Sequence, residues 1–241
     1  MPDTAWVVAH RGHSAAETQN SPAALDRAVA AGADAVEGDV RIAGDGVPVV
    51  SHDPDLSRIA GRSETITATP SDRLDALAQA AGASLPRLTT LMTAARGRIP
   101  LMLDVKETAP AVIDAIAGAA EATGLDPAAL IVGLRSPDLV PVARDRLPTA
   151  RLLALNGSDS PLGPYLEQGM TLVRLWESMA DALTVGDLKR RGCTVWVTTG
   201  GAGTGRAVGD CHMAGLRALL AAGADGLLVN DPDLGRRAVD G

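Results

Sequence analysis

The sequence predicts an α/β fold, a (β/α)8 TIM barrel built by residues 1–241 as a single domain. Three observations point there. Short β-like runs alternate with Ala/Leu-rich helical segments along the whole chain. The length, 241 residues, is one that such barrels routinely use as one unit. Chemistry-bearing residues fall at the ends of the predicted strands, the rim where barrels keep their sites. A doubly wound open sheet is the competing class. It usually carries a Gly-rich first βα turn, and His10-Arg11-Gly12-His13 is not one.

Trp6–His10 reads as the first strand. Pro22–Ala31 reads as a helix, with Ser21 as N-cap, Pro22 at the first helical position and Gly32 as its stop. Ala35–Ile42 is the second strand. Gly44-Asp45-Gly46 then signals a turn, and residues 47–52 form a short β run read as a hairpin excursion from the second strand. Residues 53–69 are polar and irregular. Helices follow at Ser71–Ala80 and Leu88–Arg96, and the third strand at Leu101–Lys106. Later strands are expected at Leu130–Leu134, Ala150–Leu155, Thr171–Trp176, Thr194–Thr198 and Gly226–Asn230. Helices are expected between them at Ala109–Ala122, Pro137–Arg146, Thr184–Arg191 and Arg206–Ala222.

Composition narrows the class of function. Hydrophobic residues make up 46% of the chain, enough for a core, but Phe is absent, so aliphatic side chains must fill it. The net charge of −7, with acids and bases interspersed, argues against nucleic-acid binding, which wants a basic stripe. Cys193 and Cys211 form neither a zinc spacing nor a disulfide framework. The first residues lack a basic region before an apolar run, so no signal peptide is expected. Neither is an integral membrane segment. A cytoplasmic location is the expectation, and the oligomeric state is not encoded.

Glu37 and Asp39 carry the chemistry. Two apart in a strand, they point to the same face. Two carboxylates facing a barrel interior repel each other and resist desolvation, and a divalent cation is the economical compensation. His10 and His52 offer the base and acid of a hydrolytic site. Asp104 and Lys106 also share parity at the end of the third strand, either in the site or as a structural ion pair. Arg174 and Trp176 share a face of the sixth strand, and a buried Arg there wants a carboxylate or phosphate partner. Trp196 reads equally well as core or as pocket wall. Residues 199–206 are Gly-rich without being a P-loop, and a flexible surface loop or lid is the favoured reading.

Several stretches together resemble the glycerophosphodiester phosphodiesterase family. They are His10-Arg11-Gly12, residues 32–40 (GADAVEGDV), residues 45–54 (DGVPVVSHDP), residues 85–91 (LPRLTTL), residues 101–106 (LMLDVK) and the ending at residues 223–232 (GADGLLVNDP). The resemblance runs nearly end to end and is densest in the first half. It implies a (β/α)8 barrel, one divalent cation, Mg2+ or Ca2+, and a small-molecule phosphodiester substrate. By position it implies Glu37, Asp39 and Asp104 as metal carboxylates and His10 and His52 as the acid/base pair. Arg11 and Lys106 match the residues that hold the phosphate. From the residues themselves, apart from the resemblance, Arg174 and Trp196 are further candidate substrate contacts. Three departures stand out. Asp104 replaces the usual Glu, residues 18–21 read Thr-Gln-Asn-Ser where the family has Pro-Glu-Asn-Thr, and residues 196–199 read Trp-Val-Thr-Thr where it has Trp-Thr-Val-Asn. Four functions follow as alternatives. They are a phosphodiesterase on a glycerol-type or alkyl diester, a phospholipase D-like or lysophospholipase D-like enzyme on lipid headgroups, a metal-dependent lyase or isomerase, and a degenerate non-catalytic barrel.

Overall fold

The computed structural model describes residues 4–155 and 161–241. Eight parallel strands form its barrel: β1 (Trp6–Ala9), β2 (Ala35–Ile42), β4 (Leu101–Val105), β5 (Leu130–Leu134), β6 (Arg151–Leu155), β7 (Leu172–Trp176), β8 (Thr194–Thr198) and β9 (Gly226–Val229). Closure comes from β1, which pairs with β9 through Trp6 and Gly226 and with β2 through Val8 and Ala35. The remaining strand, β3 (Pro48–Val50), runs antiparallel against the end of β2, with Val40 opposite Val50. The hairpin excursion is therefore present.

Alternation along each strand divides the hydrophobic residues into two layers. Val7, Val36, Leu103, Val132, Val173 and Val197 face outward and pack against the helices. Val8, Ala35, Met102, Ile131, Leu153, Leu155, Leu172, Trp196 and Leu228 face inward and plug the barrel. With no Phe available, the plug gets its bulk from Trp196 and Trp6, whose ring centroids are 5.5 Å apart.

A third cluster, including Val49, Leu56, Ile66, Leu74 and Leu85, lies outside the barrel. It is built on the β3 excursion by the short helices Ser57–Ala60 and Ile66–Ala68 and the helix Ser71–Ala80. The irregular stretch after residue 53 thus has a small core of its own.

The element boundaries differ from expectation in two places. The helix expected over 206–222 begins at Met213, because residues 206–212 form a turn that includes Gly209 at φ +83°. His212, inside the expected helix, is instead its N-cap, the ring accepting the Gly215 N–H at 3.0 Å. Helices not anticipated include Ser57–Ala60, Ile66–Ala68, Gly163–Glu167 and Pro232–Asp240, and the last is capped by Asp231.

Candidate active site

The rim above the plug is lined by the next inward residues of successive strands. β1 ends at Ala9, and His10 follows it into the barrel mouth, 7% exposed. Its Nδ1 is 2.8 Å from Asn230 Oδ1, just past β9. The Asn230 amide donates to Val208 O at 3.0 Å and Asp210 Oδ1 at 2.9 Å, and Ser14 donates to its oxygen. The oxygen therefore faces His10, Nδ1 carries the proton, and Nε2 keeps its lone pair. Burial, helped by the Arg11 charge, pushes His10 down to about 4, so the ring is neutral around pH 7. Gly209 makes room for this pair, since a Cβ there would stand 2.6 Å from His10 Nδ1.

Arg11 takes a left-handed backbone, φ +58°, which turns its N–H onto Glu37 Oε2 at 2.9 Å. Its side chain donates to Gln19 at 2.6 Å, and Nε lies 3.0 Å from Asp39 Oδ2. Gly12 follows at φ +78°, packed so close to Ala24 that a Cβ would approach it at 2.6 Å. Asn20, the one residue kept from the altered signature, donates to Asp39 at 3.0 Å. Its own Oδ1 is buried with no hydrogen-bond partner.

Glu37, Asp39 and Asp104 are almost completely buried, and their carboxylate oxygens lie within 4.8 Å of one another. Parity places Glu37 and Asp39 together, and the β2–β4 register sets Asp104 beside Asp39. Lys106 Nζ bridges them, 2.7 Å from Asp39 Oδ1 and 2.6 Å from Asp104 Oδ2. Arg135, which sequence reading passed over, grips Asp104 in a fork with both bonds at 2.7 Å. Burial opposes ionisation of both aspartates, but the charges of Lys106 and Arg11 hold Asp39 below the usual carboxylate range. Arg135 and Lys106 do the same for Asp104. Glu37 goes the other way. Burial, then repulsion from Asp39 and Asp104, pushes it up to about 8.

This donor set fits a hard divalent cation. Three carboxylates offer ligand atoms within 4.8 Å of one another, and Glu37 bears a burial cost and a repulsion that a cation would relieve. A second group, His13, Asp231 and Asp233, is already satisfied internally. His13 meets Asp233 at 3.1 Å, and Arg27 holds the same carboxylate at 2.6 Å.

His52 lies off the barrel strands, just after β3, with its side chain 43% exposed. Its Nδ1 donates to Asp53 Oδ1 at 2.8 Å, and Arg58 holds the other oxygen of Asp53. Arg41, at the end of β2, grips the His52 carbonyl through Nη2 at 3.0 Å. Residues 17–19 separate two hollows. One of about 370 Å³ is lined by His10, Arg11 and Asn230, and one of about 600 Å³ by Asn20, His52 and Arg58.

Arg174 faces inward, 2% exposed, its guanidinium 4.0 Å from the Trp176 ring centroid. Trp196 does not reach the rim. It is fully buried against Trp6 in the plug, which makes it core. The Gly-rich loop over residues 199–206 is pinned rather than loose: Gly200 N–H donates to Glu177 at 2.6 Å, Arg206 pairs with the same carboxylate, and Gly201 bridges back to Arg206.

Comparison with known proteins bears on part of the sequence and on the barrel. Residues 10–117 match the model of the Glycerophosphoryl diester phosphodiesterase family. A Mycobacterium tuberculosis protein named probable glycerophosphodiester phosphodiesterase 1 is 49% identical over 65 residues, which is 26% of this chain and 24% of that protein. A lysophospholipase D of Mus musculus is 40% identical over 60 residues, 25% of this chain and 18% of its own length. These matches span about a quarter or less of the relatives' length. Among solved structures, an Oleispira antarctica phosphodiesterase in complex with the product sn-glycerol-3-phosphate superposes with a TM-score of 0.81. It is 23% identical, and the match covers 99% of this chain and 98% of that one. A glycerophosphodiester phosphodiesterase from Agrobacterium tumefaciens gives a TM-score of 0.75 at 22% identity, covering 98% and 100%. At these identities the structures speak to the barrel alone. Among the described residues, no helix is long and apolar enough to cross a membrane.

Proposed function

We propose that this chain, whose residues 10–117 match the glycerophosphoryl diester phosphodiesterase family, hydrolyses a glycerophosphodiester, or a related small alkyl phosphodiester, to an alcohol and a phosphomonoester. The observation that carries this reading is a neutral His10, its Nε2 lone pair free, at a rim that also holds three convergent carboxylates.

Glu37, Asp39 and Asp104 would hold one divalent cation, Mg2+ or Ca2+. When bound, that ion offsets negative charge on a non-bridging phosphate oxygen. Arg11 and Lys106 orient the phosphate, the first by its planar fork and the second as a point charge.

The two histidines take different roles. His10 accepts a proton at Nε2 from the attacking oxygen, and the Asn230 carbonyl steadies the imidazolium that forms. His52, backed by the Asp53 carboxylate, is the acid, and its Nε2–H protonates the departing alkoxide. Gln19, Arg41 and Asn230 position these groups and touch no reacting atom.

The test is phosphorus NMR of sn-glycero-3-phosphoethanolamine incubated with the protein and either cation. The expected product is a phosphomonoester. A transient cyclic phosphate would show that a glycerol hydroxyl, rather than water, attacks first. An unchanged diester would refute the reading.

A further inference from the structure

The cup above the plug carries more positive charge than its own acids can absorb. Four cations, Arg11, Lys106, Arg135 and Arg174, stand with three carboxylates, Glu37, Asp39 and Asp104. Arg11 and Lys106 are at ion-pair distance from Asp39, and Lys106 and Arg135 from Asp104. Arg174 contacts no acid among the described residues. Its Nη1 is buried without a hydrogen-bond partner, and the guanidinium lies over the face of Trp176.

An unpaired buried guanidinium is costly, because arginine does not escape by losing its proton. Here burial brings Arg174 down only to about 10, with Asp104 nearby opposing the fall, so it stays charged. Trp176 fixes the plane of the guanidinium while leaving its donor edge unused. Arg135 adds a second supply. Its fork spends Nε and Nη2 on Asp104, and its side chain remains 33% exposed.

Arg174 stands apart from the carboxylate cluster, while Arg135 meets it only at Asp104. His10, Glu37, Asp39, Asp104 and Lys106 belong to β1, β2 and β4. Arg135 follows β5 and Arg174 lies on β7, with β6 between them in the ring. Both occupy inward positions, Arg135 in phase with Ile131 and Arg174 in phase with Leu172. Both therefore face the same barrel mouth as the carboxylate cluster.

We propose that Arg135 and Arg174 form a subsite for a second anionic group, carboxylate or phosphate, carried by the alcohol half of the diester. This rests on the phosphodiesterase reading above and narrows its substrate class. The open donor edge of Arg174 suits either oxyanion, its burial raises the value of the pairing, and Arg135 adds charge and its remaining Nη1.

The experiment compares matched substrates. sn-Glycero-3-phosphoserine differs from sn-glycero-3-phosphoethanolamine by one carboxylate, and glycerophosphoinositol 4-phosphate differs from glycerophosphoinositol by one phosphate. The expected kcat/KM ratio within the preferred pair is about tenfold or more in favour of the extra anion, the size of a charge-assisted hydrogen bond. The arm that shows the preference identifies the anion. Arg174→Met and Arg135→Gln should each drive that ratio toward one, with circular dichroism checking the fold. Arg174→Lys, which keeps the charge, should recover part of it. Ratios near or below one in both pairs, or ratios unmoved by either variant, would overturn the subsite while leaving diesterase activity standing. No turnover of any of the four esters, or of bis-p-nitrophenyl phosphate, would overturn the parent reading and the subsite with it.

Discussion

His10 and His52 have opposite surroundings, and that asymmetry can be measured. His10 is buried, neutral and tied to an amide oxygen, while His52 is half exposed and backed by a carboxylate. A base is needed whatever the leaving group, but an acid matters only when the leaving group is poor. His10→Ala should therefore cost roughly 10²–10⁴-fold on every diester. His52→Ala should cost as much on a glycerophosphodiester and far less on bis-p-nitrophenyl phosphate, whose phenolate leaves unaided. Steady-state rates of both variants on both substrates check this, and equal losses would reverse or dissolve the assignment. Gly209 makes a second residue-scale prediction. At φ +83° and against the His10–Asn230 pair it accepts no Cβ, so Gly209→Ala should lower kcat by more than tenfold. Thermal unfolding run alongside would separate a displaced base from a lost fold.

At the scale of elements, β2 does most of the organising. Its inward face supplies Glu37, Asp39 and Arg41, and its end carries the β3 excursion that brings in His52. Period-two parity made the carboxylate pair readable from sequence, and Asp104 with Lys106 likewise. The same parity carried past Leu134 reaches Arg135, which was missed because it follows the strand instead of lying in it. Trp196 shows what parity omits. It gives the face and not the depth, and Trp196 points inward a layer too low for the rim. Asn230 and Gly209 left no local signal as site residues, since their roles arise from contacts with His10 about two hundred residues away. The excursion's small core predicts local fragility. Leu74 is fully buried there, and Leu74→Ala should cost about 2–5 kcal/mol of local stability. Hydrogen exchange should show residues 54–85 opening while the barrel strands stay protected, because the two cores share few side chains.

For the molecule as a whole, the barrel was legible because eight hydrophobic runs recur with helical spacers. The missed helices were short or terminal, although Asp231 and Pro232 spelled out a cap and a first turn for one of them. Three carboxyl groups crowded inside the barrel mouth couple its stability to pH and to cations. Folded and free of metal, Glu37 keeps its proton up to about pH 8, against an ordinary value of 4.5. Folding then takes up a proton between those values, and stability falls as pH rises through them. His10 acts oppositely, losing stability as pH drops from 6.5 toward its folded value of about 4. The stretch from pH 6.5 to 8 is left to Glu37. In chelator the melting temperature should fall across that range, the slope should flatten in Glu37→Gln, and a divalent cation should restore stability most at the upper end. Differential scanning calorimetry with and without EDTA reads all three.

The central claim is that the carboxylate cluster and the histidine pair act together on a phosphodiester. Phosphorus NMR of sn-glycero-3-phosphoethanolamine, followed with Mg2+ or Ca2+ and again in EDTA, tests it most directly. The account predicts conversion to a phosphomonoester with one of the two cations and arrest in EDTA. A diester untouched under every condition, or hydrolysis at the same rate in EDTA, would contradict it.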